Sequence, residues 1–74
     1  MSANDVEVLV VHTKDGKQFI QGTDMVTGQL VLTQYKYDAY RLPVSDFYQA
    51  HRLAKLIGGV FNTFNPLTGV VGGG

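Results

Sequence analysis

The sequence predicts an α+β protein that is mostly β-structure: a small, strongly bent antiparallel sheet of four to five strands, or an SH3-like partial barrel. One C-terminal amphipathic helix and a glycine-rich apolar tail complete the expected fold. Three observations support it. Short runs of β-branched and aromatic residues alternate with turn sequences over residues 6–44. An apolar pattern of helical period follows over residues 45–58, and residues 59–74 carry no charge.

The length of the chain limits its organisation. At 74 residues there is room for one domain, close to the size at which a single core is barely sufficient. The absence of cysteine excludes disulfides and thiolate metal sites, so we expect oligomerisation or docking to add stability. The predicted units are a loose N-terminal lead (1–5), a single β-rich domain (6–58) and an apolar C-terminal tail or arm (59–74).

The charge balance constrains the expected partners and location. Six Lys and Arg offset six Asp and Glu, whereas nucleic-acid binders usually carry a basic excess. Charged residues make up 16% of the chain against roughly 25% in typical soluble domains, which suggests that a partner covers part of the surface. The N-terminus lacks the basic region of a signal peptide, and the uncharged run 56–74 is too polar and glycine-rich for a transmembrane segment. We expect a cytoplasmic protein, or one within a macromolecular assembly; membrane-surface contact stays open.

The first two strands are predicted to form a hairpin. Residues Val6–Thr13 place apolar side chains on both faces, which predicts a strand that is covered on each side. Asp15 and Gly16 follow, and an Asp-Gly pair between two β-patterned runs is a strong hairpin signal. The second strand is expected over residues 17–22.

A second turn and two further strands come next. The turn is expected at residues 22–28, with its apolar pair, Met25 and Val26, tucked beneath it. The third strand is expected over residues 29–37. The fourth is short, because a proline removes a donor and confines the strand to an edge or ends it. It is expected over residues 40–44, with Tyr40, Leu42 and Val44 facing inward.

Residues 45–58 are predicted to form the helix. Ser45 is a suitable N-cap, and Asp46 favours the positive end of the helix dipole. Gly58 and Gly59 either end the helix or weaken it. The polar side carries Tyr48, His51, Arg52 and Lys55. The apolar stripe is broader than a core-facing helix requires, and comprises Phe47, Ala50, Leu53, Ala54, Ile57 and Phe61, widened by Leu56 and Val60.

The tail leaves two conformations open. The run VFNTF alternates, NPLTG suits a turn and two valines follow, which is typical of a hairpin. An extended docking arm is equally compatible with this sequence.

The order of the elements resembles known small barrels. The stretch TKDGKQFIQGTDMVTGQLVL, followed by YRLPVSDF, has a strand, an Asp-Gly turn, a strand, a glycine bend and a strand in succession. In outline it is similar to Sm-like proteins and to small bacterial lipoprotein SH3-like domains, over about residues 6–46. Two features depart from these families. Sm-like proteins have a helix before the first strand, and none is predicted here; the lipoproteins have a lipobox cysteine, and this chain has no cysteine. The resemblance implies a small-barrel fold and carries over no functional residue.

The residues do not form a catalytic pattern. His12 ends a strand and His51 lies on the polar side of the helix, without a carboxylate or second ligand at a matching local spacing. The glycines match neither of the common nucleotide-binding patterns. Helix capping accounts for Ser45 and Asp46 without a catalytic triad. We therefore expect no enzyme activity, no cofactor and no metal.

A tyrosine-rich region forms one candidate surface. Tyr35 and Tyr37 are expected on one face of the third strand, with cationic side chains close by. Tyrosine is common in strands and at protein interfaces. Aromatic rings interleaved with cations also suit stacking against single-stranded bases, although the even charge balance favours protein contact. The residues of this surface are Tyr35, Tyr37, Tyr40 and Arg41.

The apolar residues of the helix and tail form the main candidate surface. Part of the helical stripe must cover the sheet. The stripe and the tail together exceed that need, and a large exposed apolar surface marks a partner or a neighbouring subunit. The predicted partner-binding residues are Leu53, Leu56, Ile57, Val60, Phe61, Phe64, Leu67, Val70 and Val71.

Together these features predict a non-enzymatic small interaction module. It would act as a subunit or adaptor in an assembly, such as a phage or accessory structural protein, docking through its helix face and apolar tail. The expected partner is another protein or a second copy of the chain. The alternative is a Sm-like small barrel that binds single-stranded nucleic acid.

Overall fold

The computed structural model describes residues 7–72 as a curled, antiparallel half-barrel sheet with one helix packed against it. The helix, α1, spans Phe47–Ile57, and a 3-10 turn lies at Lys36–Asp38. The six strands are β1 (Val8–His12), β2 (Phe19–Thr23), β3 (Leu30–Thr33), β4 (Leu42–Pro43), β5 (Val60–Asn65) and β6 (Val70–Val71). The predicted small, bent, mostly-β architecture is therefore confirmed. The predicted loose lead at residues 1–5 lies outside the described residues, as do Gly73 and Gly74.

The central strand is β1. The strands follow the order β3-β2-β1-β5-β6, and β4 also pairs with β1. β5 pairs antiparallel with β1 along its whole length, from Val8 opposite Phe64 to His12 opposite Val60. β4 pairs with β1 at Val8 and Leu9, and β2 pairs with β1 at His12. The β2–β3 hairpin therefore joins the rest of the sheet through a single residue pair.

Both faces of β1 are buried, as its pattern predicts. On one face Leu9 and Val11 pack beneath the helix. On the other face Val10 packs against Phe64, which is fully buried, and Ala39. The helix-side core cluster consists of Leu9, Val11, Ile20, Leu42, Ala50 and Ala54. The opposite cluster consists of Val10, Phe19, Ala39 and Phe64, with Val8 and Val71 packed against it.

The Asp-Gly turn between β1 and β2 is confirmed. The Thr13 amide donates to the Gln18 carbonyl at 2.9 Å, and Gly16 takes the positive φ of +73° that this turn needs. The Asp15 carboxylate accepts hydrogen bonds from the Thr13 hydroxyl and from the Lys17 amide. These bonds favour the ionised form, so they lower the pKa of Asp15 below its ordinary value of 3.8, the Thr13 bond most strongly.

The third strand is shorter than predicted. It ends at Thr33, and the prediction that it continues to residue 37 is wrong. The Thr33 hydroxyl accepts a hydrogen bond from the Tyr35 amide at 3.1 Å, which turns the chain out of the ladder and into the 3-10 turn. Tyr35 and Tyr37 therefore lie on the connection between β3 and β4 and not on a strand face.

The fourth strand is reduced to Leu42 and Pro43. Leu42 is buried as predicted, whereas Tyr40 and Val44 are about half exposed, so their predicted inward orientation is wrong. The Tyr40 amide donates to the Ile20 carbonyl at 2.8 Å and the Asp46 amide to the Pro43 carbonyl at 2.9 Å. Hydrogen bonds outside the β1–β4 ladder thus flank the strand, which pairs with β1 at two positions.

The helix is shorter than predicted at its start and is not the last element. It begins after Asp46, which occupies the N-cap without a side-chain hydrogen bond, so the assignment of Ser45 as the cap is wrong. It ends at Ile57, and Gly58 caps it in the left-handed conformation with φ +64°. Two strands follow it. The polar side is exposed as predicted; on the apolar side Ala50 and Ala54 are buried, Leu53 and Ile57 are half-buried, and Phe47 and Leu56 are exposed.

The tail belongs to the sheet. Residues 60–71 form the hairpin β5–β6, the first of the two conformations that the sequence left open. The turn is closed by the Gly69 amide, which donates to the Asn65 carbonyl at 2.7 Å, and by Gly69 itself at φ +74°. Because β5 pairs with the central strand, the predicted boundary between a domain at 6–58 and a separate tail or arm at 59–74 is not a structural boundary.

Candidate functional site

The connection between β3 and β4 and the β5–β6 hairpin border an open groove, here called the tyrosine groove. Its volume is about 630 Å³. It contains aromatic rings and amides as well as one lysine, so its surface is mixed in polarity. The residues that line it are His12, Gly16, Phe19, Gln34, Tyr35, Lys36, Tyr37, Asn62, Gly69 and Val71.

A buried histidine forms part of the floor of this groove. His12 is 7% exposed, and its ring packs at a tilt on Phe19, with 5.4 Å between the ring centroids. Its Nδ1 lies 2.7 Å from the Thr13 carbonyl oxygen, and its Nε2 lies 2.8 Å from Nδ2 of Asn62. This pattern fits a neutral imidazole that donates from Nδ1 and accepts at Nε2. Because both nitrogens are engaged, the ring holds β1 to β5 and has no free nitrogen for acid–base chemistry.

The connection between β3 and β4, which forms one wall of the tyrosine groove, contacts the β5–β6 hairpin. The Lys36 ammonium donates to the Gly69 carbonyl and lies 5.8 Å from the centroid of the Tyr37 ring. Tyr37 packs edge-on against the buried ring of Phe64, at 5.5 Å between centroids. The Arg41 guanidinium lies 5.9 Å from the same Phe64 ring. These contacts hold the connection in place while the tyrosine rings stay half exposed.

The predicted tyrosine surface is divided by the fold. Tyr35 and Tyr37 line the tyrosine groove, whereas Tyr40 lines a second groove of about 220 Å³ between the helix and the β2–β3 hairpin. That second groove also contains Leu53, which the sequence analysis assigned to the other candidate surface. Arg41 lines neither groove, but its guanidinium donates to the Tyr37 carbonyl at 3.5 Å, so it lies beside Tyr37. Tyr40 is the member of the predicted surface that lines a different groove.

A third concavity lies where α1 ends against β5; we call it the helix-end cleft. Its volume is about 450 Å³. Val60 and Phe61 supply its apolar side chains, and the His51 ring stands edge-on to Phe61 with 6.5 Å between centroids. The residues that line it are Lys14, His51, Ala54, Lys55, Gly58, Gly59, Val60 and Phe61. Two lysines and a histidine thus surround apolar side chains, and no acidic residue lines the cleft.

The nine predicted partner-binding residues occupy different environments. Phe64 is fully buried in the core, so its side chain is used inside the fold. The half-buried members that pack on the two core clusters are Leu53, Ile57, Phe61 and Val71. The exposed members are Leu56, Val60, Leu67 and Val70. Val60 begins β5, whereas Leu67 lies in the turn beyond the other end of that strand, so the structure does not gather the exposed members into one patch.

The most exposed apolar residues were misplaced by the sequence analysis. Met25 and Val26 are 99% and 93% exposed at the tip of the β2–β3 hairpin, and not tucked beneath the turn. The Asp24 carboxylate accepts from the Val26 amide at 2.7 Å, and the Gly28 amide donates to the Asp24 carbonyl at 2.7 Å. Asp24 and Gly28 at the two ends of the turn are the signal that could have indicated this outward presentation.

The described part of the chain contains no cluster of metal-ligating side chains. Within residues 7–72, no three His, Asp or Glu side chains are grouped so that they could hold a metal ion. Every buried side-chain nitrogen or oxygen in this range has a hydrogen-bond partner.

Within residues 7–72, no helix has both the length and the apolar character needed to cross a bilayer.

Comparisons with known proteins do not supply a function. No protein-family model, no curated protein and no solved structure matched this chain. The features of the molecule that bear on function are the two grooves, the helix-end cleft and the exposed apolar side chains.

Proposed function

We propose that the protein is a non-enzymatic interaction module, a subunit or adaptor of a larger assembly, and that it binds a partner segment in the helix-end cleft. The observation that carries this proposal is the chemistry of that cleft. Val60 and Phe61 supply apolar surface, and Lys14, His51 and Lys55 surround it. Such a site suits an apolar side chain that is flanked by carboxylates.

The partner segment is therefore expected to be acidic and apolar. Exposed ion pairs contribute little affinity each, so the apolar contact supplies most of the binding and the cations supply orientation and rate. The exposed Leu56, Leu67 and Val70 remain candidate contacts at other points of the surface. A module of this kind suits a structural protein of a phage or of an accessory assembly.

A library of random short peptides displayed on yeast tests the proposal. We expect selection against the folded protein to enrich peptides in which a large apolar residue is flanked by Asp or Glu. The double variant Lys14→Glu/Lys55→Glu should bind them about tenfold more weakly. Arg52→Glu is the matched control, because Arg52 is exposed on the same helix and does not line the cleft. Failure to enrich any sequence, or equal binding by all variants, would reject the proposal.

A second candidate function is binding of single-stranded nucleic acid in the tyrosine groove. The observation that favours it is the combination of half-exposed Tyr35 and Tyr37 rings with the amides of Gln34 and Asn62. A base stacked on one ring contributes about 1–3 kcal/mol. Fluorescence anisotropy of a labelled oligonucleotide at low salt should then show binding that Tyr35→Ala weakens and Tyr48→Ala, on the exposed helix side, leaves unchanged. Absence of binding at low salt would eliminate this candidate.

A further inference from the structure

Strand β3 has an unprotected edge. Among the residues that the structure describes, it pairs only with β2 and stands at the end of the strand order. Natural edge strands are commonly blunted by short length, proline, charge or a bulge. β6 has two residues and β4 ends at Pro43, whereas β3 has four residues and neither a proline nor a charge. The register shift of this hairpin, between Ile20 and Gly22, lies in β2.

The sequence around β3 is uncharged over a long stretch. Residues 25–35 contain no Asp, Glu, Lys, Arg or His. Val31 and Leu32 are both exposed, and successive strand residues point to opposite faces. The edge therefore offers backbone hydrogen-bonding groups together with exposed apolar side chains on each face.

The hairpin tip adds a second apolar feature. Met25 and Val26 are almost completely exposed, and the hydrogen bonds to Asp24 fix the turn that presents them. Because the turn is already ordered, burying these side chains would cost little additional backbone entropy.

We propose that β3 pairs edge to edge with β3 of a second copy, antiparallel and about a two-fold axis, so that two sheets become one. Residues opposite each other in an antiparallel pair share a face, so the axis must pass through a residue position. Centring on Val31 places Val31 opposite Val31 and Leu30 opposite Leu32. It also places Gln29 opposite Thr33. No charge meets a like charge within this ladder.

The ladder ends where β3 ends. Met25 and Val26 lie in the hairpin turn, and Lys36 and Tyr37 lie in the 3-10 turn, so none of them continues the strand. The two-fold pairing therefore rests on residues 29–33, and it covers the open edge and the exposed Val31 and Leu32 side chains.

A second copy fits this edge better than a different strand. A partner of other sequence is usually selected by complementary charge, and residues 25–35 have none to complement. Self-pairing about a two-fold axis is closed, so it consumes the edge without forming fibres. The dimer leaves the helix-end cleft free, and its test is therefore independent of the proposed function.

Sedimentation of the full-length chain between about 1 µM and 1 mM tests the dimer. The wild type should shift from monomer to dimer within this range. Val31→Lys places two ammonium groups opposite each other and should raise the dissociation constant about a hundredfold or more. Val31→Thr keeps the branched shape and the ladder and should still dimerise. A wild type that stays monomeric, forms larger oligomers, or dimerises equally well as Val31→Lys would overturn the proposal.

Cross-linking tests the register. The chain has no cysteine, so single substitutions are unambiguous. Opposite Cα atoms of an antiparallel pair lie about 4.5–5.5 Å apart, within the range that a disulfide spans. Val31→Cys should therefore oxidise to a covalent dimer, whereas Leu67→Cys, exposed on the other hairpin, should not. Equal cross-linking of both variants would show random collision and contradict the register.

Discussion

Two adjacent glycines at the end of the helix have different physical roles. Gly58 has φ +64°, and a Cβ added there would meet open space, so its constraint is the left-handed backbone. Gly59 has no such φ, but a Cβ added there would lie 2.1 Å from the carbonyl oxygen of His12. The sequence treats both alike, as glycines that either end the helix or weaken it. Only the long-range contact between the helix end and β1 distinguishes them.

Gly59→Ala should be among the most destabilising single substitutions in this protein. The clash is with backbone of the central strand, which cannot move aside as a flexible side chain can, so we expect a loss of about 3 kcal/mol or more. Gly58→Ala should cost about 1–2 kcal/mol, for the left-handed conformation alone. Urea unfolding measures both. Gly22→Ala, with an unrestricted φ and open space, is the control; equal losses at positions 59 and 58 would contradict the close approach.

Asn62→Ala should destabilise the fold through His12. It removes the amide that lies 2.8 Å from Nε2 of this buried ring, and an unpaired buried acceptor costs about 1–3 kcal/mol. Asn65→Ala is the comparison, because Asn65 accepts from the Leu67 amide in an exposed turn. Nitrogen NMR of the wild-type imidazole should also show the proton on Nδ1. A ring protonated only on Nε2 would refute this hydrogen-bond arrangement.

At the scale of elements, the helix packs closely because its contact residues are small. The two buried helix residues are Ala50 and Ala54, and the larger Leu53 and Ile57 lie at the sides of the contact. The sequence correctly predicts the polar side of the helix. The apolar pattern is wider than the buried contact, because Phe47 and Leu56 belong to it but are exposed. Helical periodicity identifies a side of the helix, whereas the curvature and extent of the sheet decide how much of that side is covered.

Ala50→Leu should therefore be destabilising although leucine is an excellent helix former. Ala50 is fully buried between the helix and β1, and added methylene groups there must displace well-packed neighbours at about 1–3 kcal/mol. Arg52→Leu introduces the same side chain on the exposed side and should change the free energy of unfolding by less than about 0.5 kcal/mol. Thermal unfolding of the two variants compares them directly. A neutral Ala50→Leu would indicate unfilled space beneath the helix.

For the molecule as a whole, local signals predict local structure and little else. The two-sided apolar pattern of β1, the Asp-Gly turn and the proline-ended β4 were all readable from neighbouring residues. The pairing of β1 with β5 joins residues about fifty positions apart, as in the His12–Asn62 contact, and no local pattern encodes it. From the sequence, the apolar tail therefore exceeded what the core needs. In the structure Phe64 lies in the second core cluster and Val71 packs against it. The tyrosines lie apart because β3 ends at Thr33, which places Tyr35 and Tyr37 on the connection that follows it.

Removing residues 59–74 is expected to unfold the protein. The truncation would deprive β1 of its five paired positions with β5, and it would remove Phe64, whose fully buried side chain supports the second core cluster. Loss of a core phenylalanine alone costs about 3–5 kcal/mol, comparable to the entire stability of many domains of this size. We therefore expect residues 1–58 to show no cooperative thermal transition and poorly dispersed amide NMR signals. Leu67→Ser, which alters an exposed residue of the same hairpin, should retain both the transition and the dispersion. A folded 1–58 fragment would mean that the β5–β6 hairpin is an accessory arm and that β1 is stable without it.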